Sequence, residues 1–244
     1  MKLDIYTFTN NGGRKYNEDF ADFCMDSARA FFVLADGLGG HYGGDIASHC
    51  IVKHLIAAWA ADAGAASRTE WLERQIAEAN DALLMLQKER EGRMKSTVVA
   101  LCLDAGMASW AHVGDSRLYY LSSGGIERLT ADHSVTYKKY RAGEISRDAM
   151  NFDEDRSSLL RAVGDEGHCE PECGCLGCGR QLMPGDAFLL CSDGFWEYLY
   201  DEEILVDCLK SETAEEWGQL LMLRVMKRMK PDSDNLTFMA VVVR

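Results

Sequence analysis

Short apolar segments rich in β-forming residues recur along the chain, and their spacing limits the fold more than any other feature. The pattern predicts strands at residues 5–9, 31–35, 97–103, 108–113, 117–121, 187–191 and 236–243. Short turns that contain Gly, at residues 104–106 and 122–125, separate neighbouring strands and indicate antiparallel hairpins.

Helical periodicity appears between these strands, at residues 45–61, 69–90 and 214–229, and Thr69 is a candidate N-cap. Strands and helices do not alternate regularly, so we predict an α+β sandwich of antiparallel sheets flanked by helices. No linker rich in Pro, Gly or Ser divides the 244 residues, which predicts a single domain over residues 1–244. A polar, weakly helical stretch at about 134–165 is typical of a flap.

Charge and hydropathy exclude some function classes. The chain has 26 Lys and Arg against 39 Asp and Glu, a formal charge of −13, which disfavours a nucleic-acid partner. No apolar run approaches the ~20 residues that a membrane-spanning helix needs. The first residues lack the apolar core of a signal peptide, and the Cys count of nine is odd. We therefore expect a cytoplasmic protein with reduced thiols.

Four short segments contain an Asp beside a strand or a Gly-rich turn: Asp19, Asp36, Asp193 and Asp234. A single Asp-Gly pair is ordinary turn chemistry, but several converging Asp would repel one another without a cation. Hard divalent ions such as Mg²⁺ and Mn²⁺ prefer such oxygen ligands. The four segments together therefore indicate a divalent-metal site.

Seven segments, in this order, carry a family resemblance. They are Arg14-Lys15-Tyr16-Asn17-Glu18-Asp19, Asp36-Gly37-Leu38-Gly39-Gly40-His41, Met94-Lys95-Ser96-Thr97, Val113-Gly114-Asp115-Ser116-Arg117, Leu129-Thr130-Ala131-Asp132-His133-Ser134, Cys191-Ser192-Asp193-Gly194 and Asp234-Asn235-Leu236-Thr237. With them the chain resembles the metal-dependent protein serine/threonine phosphatases of the PPM (PP2C-like) family, in their compact bacterial form. The segments span residues 14 to 237, nearly the whole chain.

The resemblance implies a four-layer α-β-β-α sandwich of two antiparallel sheets with metals at one edge. It also implies hydrolysis of phosphoserine or phosphothreonine on proteins. Two Mn²⁺ or Mg²⁺ ions would bridge a water or hydroxide that attacks phosphorus in line. The implied partners are phosphorylated protein substrates and a cognate eukaryotic-like Ser/Thr kinase.

The resemblance also implies a ligand set. Asp36 would bridge both ions, and the Gly37 carbonyl would complete one shell. Asp193 and Asp234 would serve the other ion. Asp19 would bind the first ion directly or through water, and the adjacent Glu18 stays an alternative.

Two more residues match roles near the metals. Arg14 matches the phosphate-binding arginine of the family, and a guanidinium can bind two phosphate oxygens at once. Asp115 resembles a ligand of a third, weaker ion, although a hairpin-turn Asp bonded to Arg117 or to the backbone is the alternative. Asp132 and His133 would organise the approach to the flap.

This chain departs from the family pattern at two positions, Leu38 and Lys95. His41 could protonate the leaving group as a general acid. Animal members carry their acid His directly after Asp-Gly, where this chain has Leu38, so a structural or water-positioning role stays open for His41. In the usual Met-Gly-Thr-Thr segment, Lys95 replaces Gly and could alter a turn without removing a metal ligand.

Four cysteines crowd into ten residues, Cys169, Cys173, Cys175 and Cys178, beside His168. Reduced thiols without metal, a zinc site and a redox-sensitive pair are the three alternatives. For the whole chain, the first rival is a non-catalytic PP2C-like regulator that binds phosphoproteins, and the second is a different metal hydrolase. The intact set of Asp residues favours the phosphatase over the first rival.

Overall fold

The computed structural model describes residues 1–38, 43–65, 67–150, 153–167, 169–177 and 180–244. In chain order its strands are β1 (Leu3–Asn10), β2 (Asp19–Met25), β3 (Arg29–Leu38), β4 (Lys95–Ser96), β5 (Val98–Asp104), β6 (Met107–Val113), β7 (Arg117–Ser122), β8 (Gly125–Arg128), β9 (Glu172–Cys175), β10 (Ala187–Cys191) and β11 (Leu236–Val243). Its helices are α1 (Gly44–Ala61), α2 (Arg68–Arg90), α3 (Val135–Arg141), α4 (Arg147–Met150), α5 (Asp193–Trp196), α6 (Asp201–Lys210) and α7 (Ala214–Arg228). All seven predicted strands and all three predicted helices are present.

The strands form two antiparallel sheets. The five-stranded sheet has the order β1-β11-β10-β7-β8. The six-stranded sheet has the order β2-β3-β5-β6-β9, with β4 beside β3. Both predicted hairpins are confirmed, and the tight turn between β5 and β6 has positive φ at Ala105 and Gly106. Such left-handed turns match the twist of the strands that they join.

Three apolar layers hold the sheets and helices together. Alternate residues of β3 face opposite ways: Phe31 and Val33 pack beneath α1 and α2, whereas Phe32 and Leu34 pack toward the other sheet. On the five-stranded sheet, Phe238 faces α7. Strands buried on both faces are expected between two layers. The predicted four-layer α-β-β-α sandwich is therefore confirmed.

Capping residues fix the beginnings of the long helices. The Ser67 hydroxyl caps α2 by accepting the backbone N–H of Glu70 at 3.3 Å, so the expected cap at Thr69 is wrong by two residues. Thr213 caps α7 by accepting the N–H of Glu216 at 3.1 Å. Each oxygen satisfies an N–H that has no partner within its own helix.

The polar stretch predicted as a flap contains α3 and α4. An isolated bridge between Ser96 and Val163 ties it to the body of the protein, and a second bridge, between Ser134 and Leu159, joins two positions within it. The cysteine-rich segment forms β9, which pairs with β6 at the edge of its sheet. None of the helices in the described ranges has both the length and the apolar character that crossing a membrane requires.

Candidate active site

The six-stranded sheet places two of the predicted metal ligands side by side. Asp19, the first residue of β2, is the register partner of Asp36 on β3. Thr97 holds the main chain of Asp36, because its hydroxyl accepts the Asp36 N–H at 3.1 Å and its own N–H donates to the Asp36 carbonyl at 2.8 Å. The pairing of β2 with β3 thus brings two carboxylates together.

The five-stranded sheet contributes the other two carboxylates. Asp193 begins α5 directly after β10, and Asp234 lies two residues before β11, the neighbour of β10. A side chain at Gly194 would put a Cβ 2.1 Å from the carbonyl oxygen of Asn235. Glycine is required there because the two segments approach so closely. We call Asp19, Asp36, Asp193 and Asp234 the carboxylate centre.

Ser192 joins the two sheets at this centre. Its hydroxyl donates to Asp19 Oδ2 at 2.8 Å and accepts the backbone N–H of Thr237 at 3.0 Å. One residue of the five-stranded sheet therefore orients a carboxylate of the six-stranded sheet.

The electrostatics of the centre favour a cation. Burial raises the pKa of Asp19 to about 7 and that of Asp193 to about 6, and nearby carboxylates add to both shifts. Burial, followed by the charge of Asp19, raises the pKa of Asp36 well above its usual range. Among the described residues, Asp19 Oδ1 and Asp193 Oδ1 are buried without a hydrogen-bond partner. Such oxygens cost free energy unless a cation or a proton satisfies them.

The spacing of the carboxylates varies across the centre, and Asp36 and Asp193 share a side-chain hydrogen bond. In the described ranges, no three of them bring ligand atoms within 4.8 Å of one another. Asp234 instead forms an ion pair with Arg14, with Nη2 2.8 Å from Oδ2, and both side chains are about half exposed. The residues fit hard divalent ions, which accept carboxylates and retain several waters.

A buried amide holds the segment that bears Arg14. The side-chain N–H₂ of Asn235 donates to the carbonyls of Asn11 at 2.9 Å and Tyr16 at 2.8 Å. Its Oδ1 accepts the N–H of Glu18 at 2.8 Å. Asn235 therefore fixes the loop before β2 against the start of β11, beside the carboxylate centre.

Gly37 lies where no larger residue fits. A Cβ there would be 2.1 Å from the carbonyl oxygen of Gly44, and the Gly37 N–H donates to the Glu18 carbonyl at 3.1 Å. The Glu18 carboxylate lies beside Gly44, since a Cβ on that glycine would be 2.6 Å from Glu18 Oε1. Both predicted alternatives, Asp19 and Glu18, therefore lie near this end of β3.

Asp115 is buried beside the centre and does not bond to Arg117 through its side chain. Burial, then the charges of Asp193 and Asp132, raises the pKa of Asp115 well above its usual range. The indole N–H of Trp196 donates to the Asp115 carbonyl at 2.9 Å. Arg117 instead forms a bidentate pair with Asp132, at 2.9 and 2.6 Å, and its guanidinium lies 3.3 Å from the centre of the Trp196 ring. The Arg117 version of the hairpin alternative is therefore wrong.

A second cluster offers metal-ligand types outside the carboxylate centre. His112, His133 and Glu172 bring ligand atoms within 4.8 Å of one another, and the two imidazoles stack at 4.4 Å. The Gly114 N–H donates to His133 Nδ1 at 3.2 Å, which leaves the proton on Nε2 in the neutral ring. Arg161 Nη1 lies 3.5 Å from the same Nε2. A protonated nitrogen beside a guanidinium is a poor metal ligand, so the hydrogen bonds disfavour an ion here.

The structure shows how Lys95, one of the departures from the family pattern, is accommodated. Lys95 lies in β4 opposite Leu38, and its ammonium pairs with Asp165 at 2.6 Å, so the strand pairing continues through it. His41 lies outside the described residues.

Of the clustered cysteines, Cys178 lies outside the described residues, as does its neighbour His168. Burial raises the pKa of Cys169 to about 12 and of Cys173 to about 11, whereas Cys175 is exposed. Those three do not bring their sulfurs within 4.8 Å of one another. The raised pKa values keep Cys169 and Cys173 protonated at neutral pH, which favours reduced thiols without metal at these two positions.

Three residues with a role in the geometry were not singled out from the sequence: Ser192, Trp196 and Asn235. Ser192 and Asn235 belong to the quoted motif segments, so their position beside a candidate ligand was the available signal. Trp196 had no signal, because its contact with Asp115 depends on how α5 packs against the loop before β7.

Three comparisons place this arrangement among known proteins. Residues 12–220 match the family Protein phosphatase 2C. Serine/threonine phosphatase stp of Listeria welshimeri is 34% identical over 208 residues, which cover 82% of this chain and 80% of that protein. Serine/threonine phosphatase Stp1 from Staphylococcus aureus has a TM-score of 0.88 at 27% identity, covering 100% of this chain and 96% of that one. The catalytic domain of PstP in complex with 2 manganese ions has a TM-score of 0.82 at 26% identity, covering 99% of each chain.

Proposed function

The chain belongs to the protein phosphatase 2C family of serine/threonine phosphatases, and we propose that its carboxylate centre holds two Mn²⁺ or Mg²⁺ ions for phosphoprotein hydrolysis. The substrates would be phosphoserine and phosphothreonine residues of proteins. The observation that carries the proposal is the convergence of four aspartates from two sheets with two buried, unpartnered oxygens. The two manganese ions bound to PstP, a structural neighbour, support it further.

The proposed roles follow the positions of the side chains. Asp36 is central, because its carboxyl interacts with those of Asp19, Asp193, Asp115 and Asp234. We assign the metal-binding role to Asp19, Asp36, the Gly37 carbonyl, Asp193 and Asp234, with Asp115 serving a third ion. When bound, such ions lower the pKa of a water and stabilise negative charge on the transferring phosphoryl group.

Arg14 is the proposed phosphate clamp. It lines the same cleft as Asp193 and Asp234, and its guanidinium is about half exposed. An exposed guanidinium can bind two phosphate oxygens and orient the phosphoryl group over the centre. The ion pair with Asp234 must open for both residues to take these roles. His41 stays the predicted general acid, with the structural role as its alternative.

We also propose a domain organisation, a compartment and an opposing kinase for the enzyme. A single domain over residues 1–244, with a flap at about 134–165, would act in the cytoplasm against a Ser/Thr kinase. The protein would then reverse phosphorylation made by that kinase. The non-catalytic regulator is the weaker alternative, because the full set of Asp residues is retained.

The test is phosphate release from a phosphothreonine peptide, with and without Mn²⁺. Asp193→Asn should lower the rate by at least ~100-fold, because this carboxylate positions a cation that supplies the catalysis. Asp207→Asn is the matched control, because Asp207 is also a buried aspartate but pairs with Arg224 and does not line the cleft. An unchanged rate for Asp193→Asn would show that the two-metal assignment is wrong. A Mn²⁺-dependent rate lost in both variants would point to unfolding instead.

A further inference from the structure

The carboxylate centre lies at one end of a cleft with a volume of about 520 Å³. Away from the centre, the cleft is lined by Arg147 of α4, by Tyr200 just before α6 and by Arg228 at the end of α7. We call these three residues the cationic wall. We propose that the cationic wall binds an acidic side chain close to the phosphoresidue of the substrate, so that the enzyme prefers phosphopeptides with a neighbouring Asp or Glu. This inference rests on the proposed function.

The wall is a layered arrangement of two cations around an aromatic ring. The Arg147 guanidinium lies 5.5 Å from the centre of the Tyr200 ring, and that of Arg228 lies 5.6 Å from it. Both distances are within the range in which a ring attracts a cation. The ring therefore holds two guanidinium groups near each other despite their like charge.

The acids that balance these arginines lie outside the cleft lining. Arg147 donates through Nη2 to Asp201 at 3.0 Å and to the Leu199 carbonyl at 3.4 Å. Arg228 binds Glu203 through both terminal nitrogens, at 2.6 Å each. Neither Asp201 nor Glu203 lines the cleft. Each guanidinium has five N–H donors, so each retains donors that these bonds do not use.

Outside the wall, the cleft is lined by six acids and four cations, but three of the acids, Asp115, Asp193 and Asp234, are proposed ligands of metal ions that would offset their charge. Arg156 and Lys230 also line it, together with Glu197, and both cations oppose the rise of the Glu197 pKa that burial causes. Asp148 accepts the Tyr200 hydroxyl at 3.4 Å. The whole chain has a charge of −13, which would repel an acidic peptide elsewhere on its surface. The cationic wall is the part of the cleft where an acidic side chain finds partners.

The experiment measures kcat/KM for a series of phosphothreonine peptides that carry one Asp, moved through the positions on either side of the phosphoresidue, against an all-Ala background. We expect at least one position to raise kcat/KM about 5-fold, mainly through a lower KM, as for roughly 1 kcal/mol of partly exposed charge pairing. Arg228→Ala should reduce that preference to less than 2-fold, and Arg228→Glu should transfer it to a peptide with Lys at the same position.

Arg224→Ala is the matched control. Arg224 lies on the same helix and binds the same Glu203, at 2.9 Å, but does not line the cleft. The preference for Asp should persist in this variant. Equal kcat/KM for all peptides, or a preference that survives both Arg228 substitutions, would overturn the inference and leave the proposed function intact. Hydrolysis of an aryl phosphate but of no phosphopeptide would overturn the proposed function and this inference with it.

Discussion

Two acidic regions that adjoin the cleft are neighbours, but their carboxylates have different partners. Asp132 is nearly fully buried and forms two short bonds to the equally buried Arg117. In the carboxylate centre, Asp19 and Asp193 each keep a buried oxygen without a partner among the described residues. Asp132 is already paired, whereas the centre requires a cation that the chain itself does not supply.

The contrast shows how burial alone fails to identify a functional acid. A buried carboxylate beside a guanidinium has its charge offset and has no need of an ion. Several carboxylates buried together have raised pKa values, and this destabilises the ionised fold until a cation binds. A buried acid with a basic partner is therefore structural, whereas a buried acid beside other acids is a candidate metal ligand. The degree of exposure does not distinguish the two cases.

The largest effect should come from breaking the structural pair. Asp132→Asn would leave the Arg117 guanidinium buried with an unpaired charge, and we expect a loss of about 3–5 kcal/mol in the free energy of unfolding. Urea unfolding measures it. The double variant Arg117→Met with Asp132→Leu is the control, because it removes both charges and should lose much less. Equal losses of unfolding free energy in the single and double variants would show that the unpaired charge is not the cause of the destabilisation.

The carboxylate centre should respond to pH in the opposite sense to an ordinary paired acid. The pKa values of Asp19 and Asp193 rise to about 7 and about 6 in the fold, from a usual value of 3.8. Their protonated forms therefore contribute stability below pH ~4, and this contribution is lost as the pH rises through 6 and 7. Mn²⁺ competes with those protons, so its stabilising effect should be larger at pH 7.5 than at pH 5.5.

Thermal melts with and without Mn²⁺ at the two pH values measure this effect. The free Mn²⁺ concentration is fixed at about 100 times the dissociation constant at pH 7.5. We expect Mn²⁺ to raise the free energy of unfolding by about 2.7 kcal/mol at pH 7.5 and by less than half of that at pH 5.5. Asp193→Asn should reduce the difference between the two pH values. A shift in Tm that is the same at both pH values would contradict the prediction.

Arg14 lies at the exposed border of the centre and should have a smaller effect. Arg14→Ala removes the proposed phosphate clamp, so KM should rise about 10-fold while kcat changes less than about 3-fold. Lys15→Ala is the control, because Lys15 is adjacent and lies over the Tyr16 ring at 5.1 Å. If kcat collapsed while KM stayed the same, Arg14 would act on the reaction step and would not be a simple clamp.

Trp196 contacts Arg117 and Asp115, and its substitution should give the smallest effect. Trp196→Phe keeps a ring over Arg117 but removes the indole N–H that holds Asp115. We expect about 3-fold weaker Mn²⁺ binding at one site, measured by calorimetry and by the Mn²⁺ concentration that gives half-maximal activity. Trp217→Phe is the control, because it removes an equivalent indole bond, to the Ile204 carbonyl at 3.2 Å. Equal effects in both variants would assign Trp196 a purely structural role.

The sequence predicted the residues at strand ends better than the contacts between them. Asp36, Asp193 and Asp234 lie beside strands whose apolar patterns are local, so their convergence could be expected, whereas Asp19 begins β2, a strand that the pattern did not predict. The bond from Ser192 to Asp19 joins different sheets, and no local pattern specifies how two sheets stack. The cysteine segment was not predicted as a strand, because β9 forms through pairing with β6 and its own residues have little strand preference.

The position of β11 has a consequence for how the protein is made. This strand pairs with β1 on one side, with Leu3 opposite Val243, and with β10 on the other. In the six-stranded sheet, β2, β3, β5 and β6 all lie within the first 113 residues, so they can pair while synthesis continues. The five-stranded sheet must wait for β11, which lies between β1 and β10, and long-range pairing of this kind slows folding. Asp234 lies two residues before that strand, so the carboxylate centre, and with it the activity, should be complete only after β11 has paired.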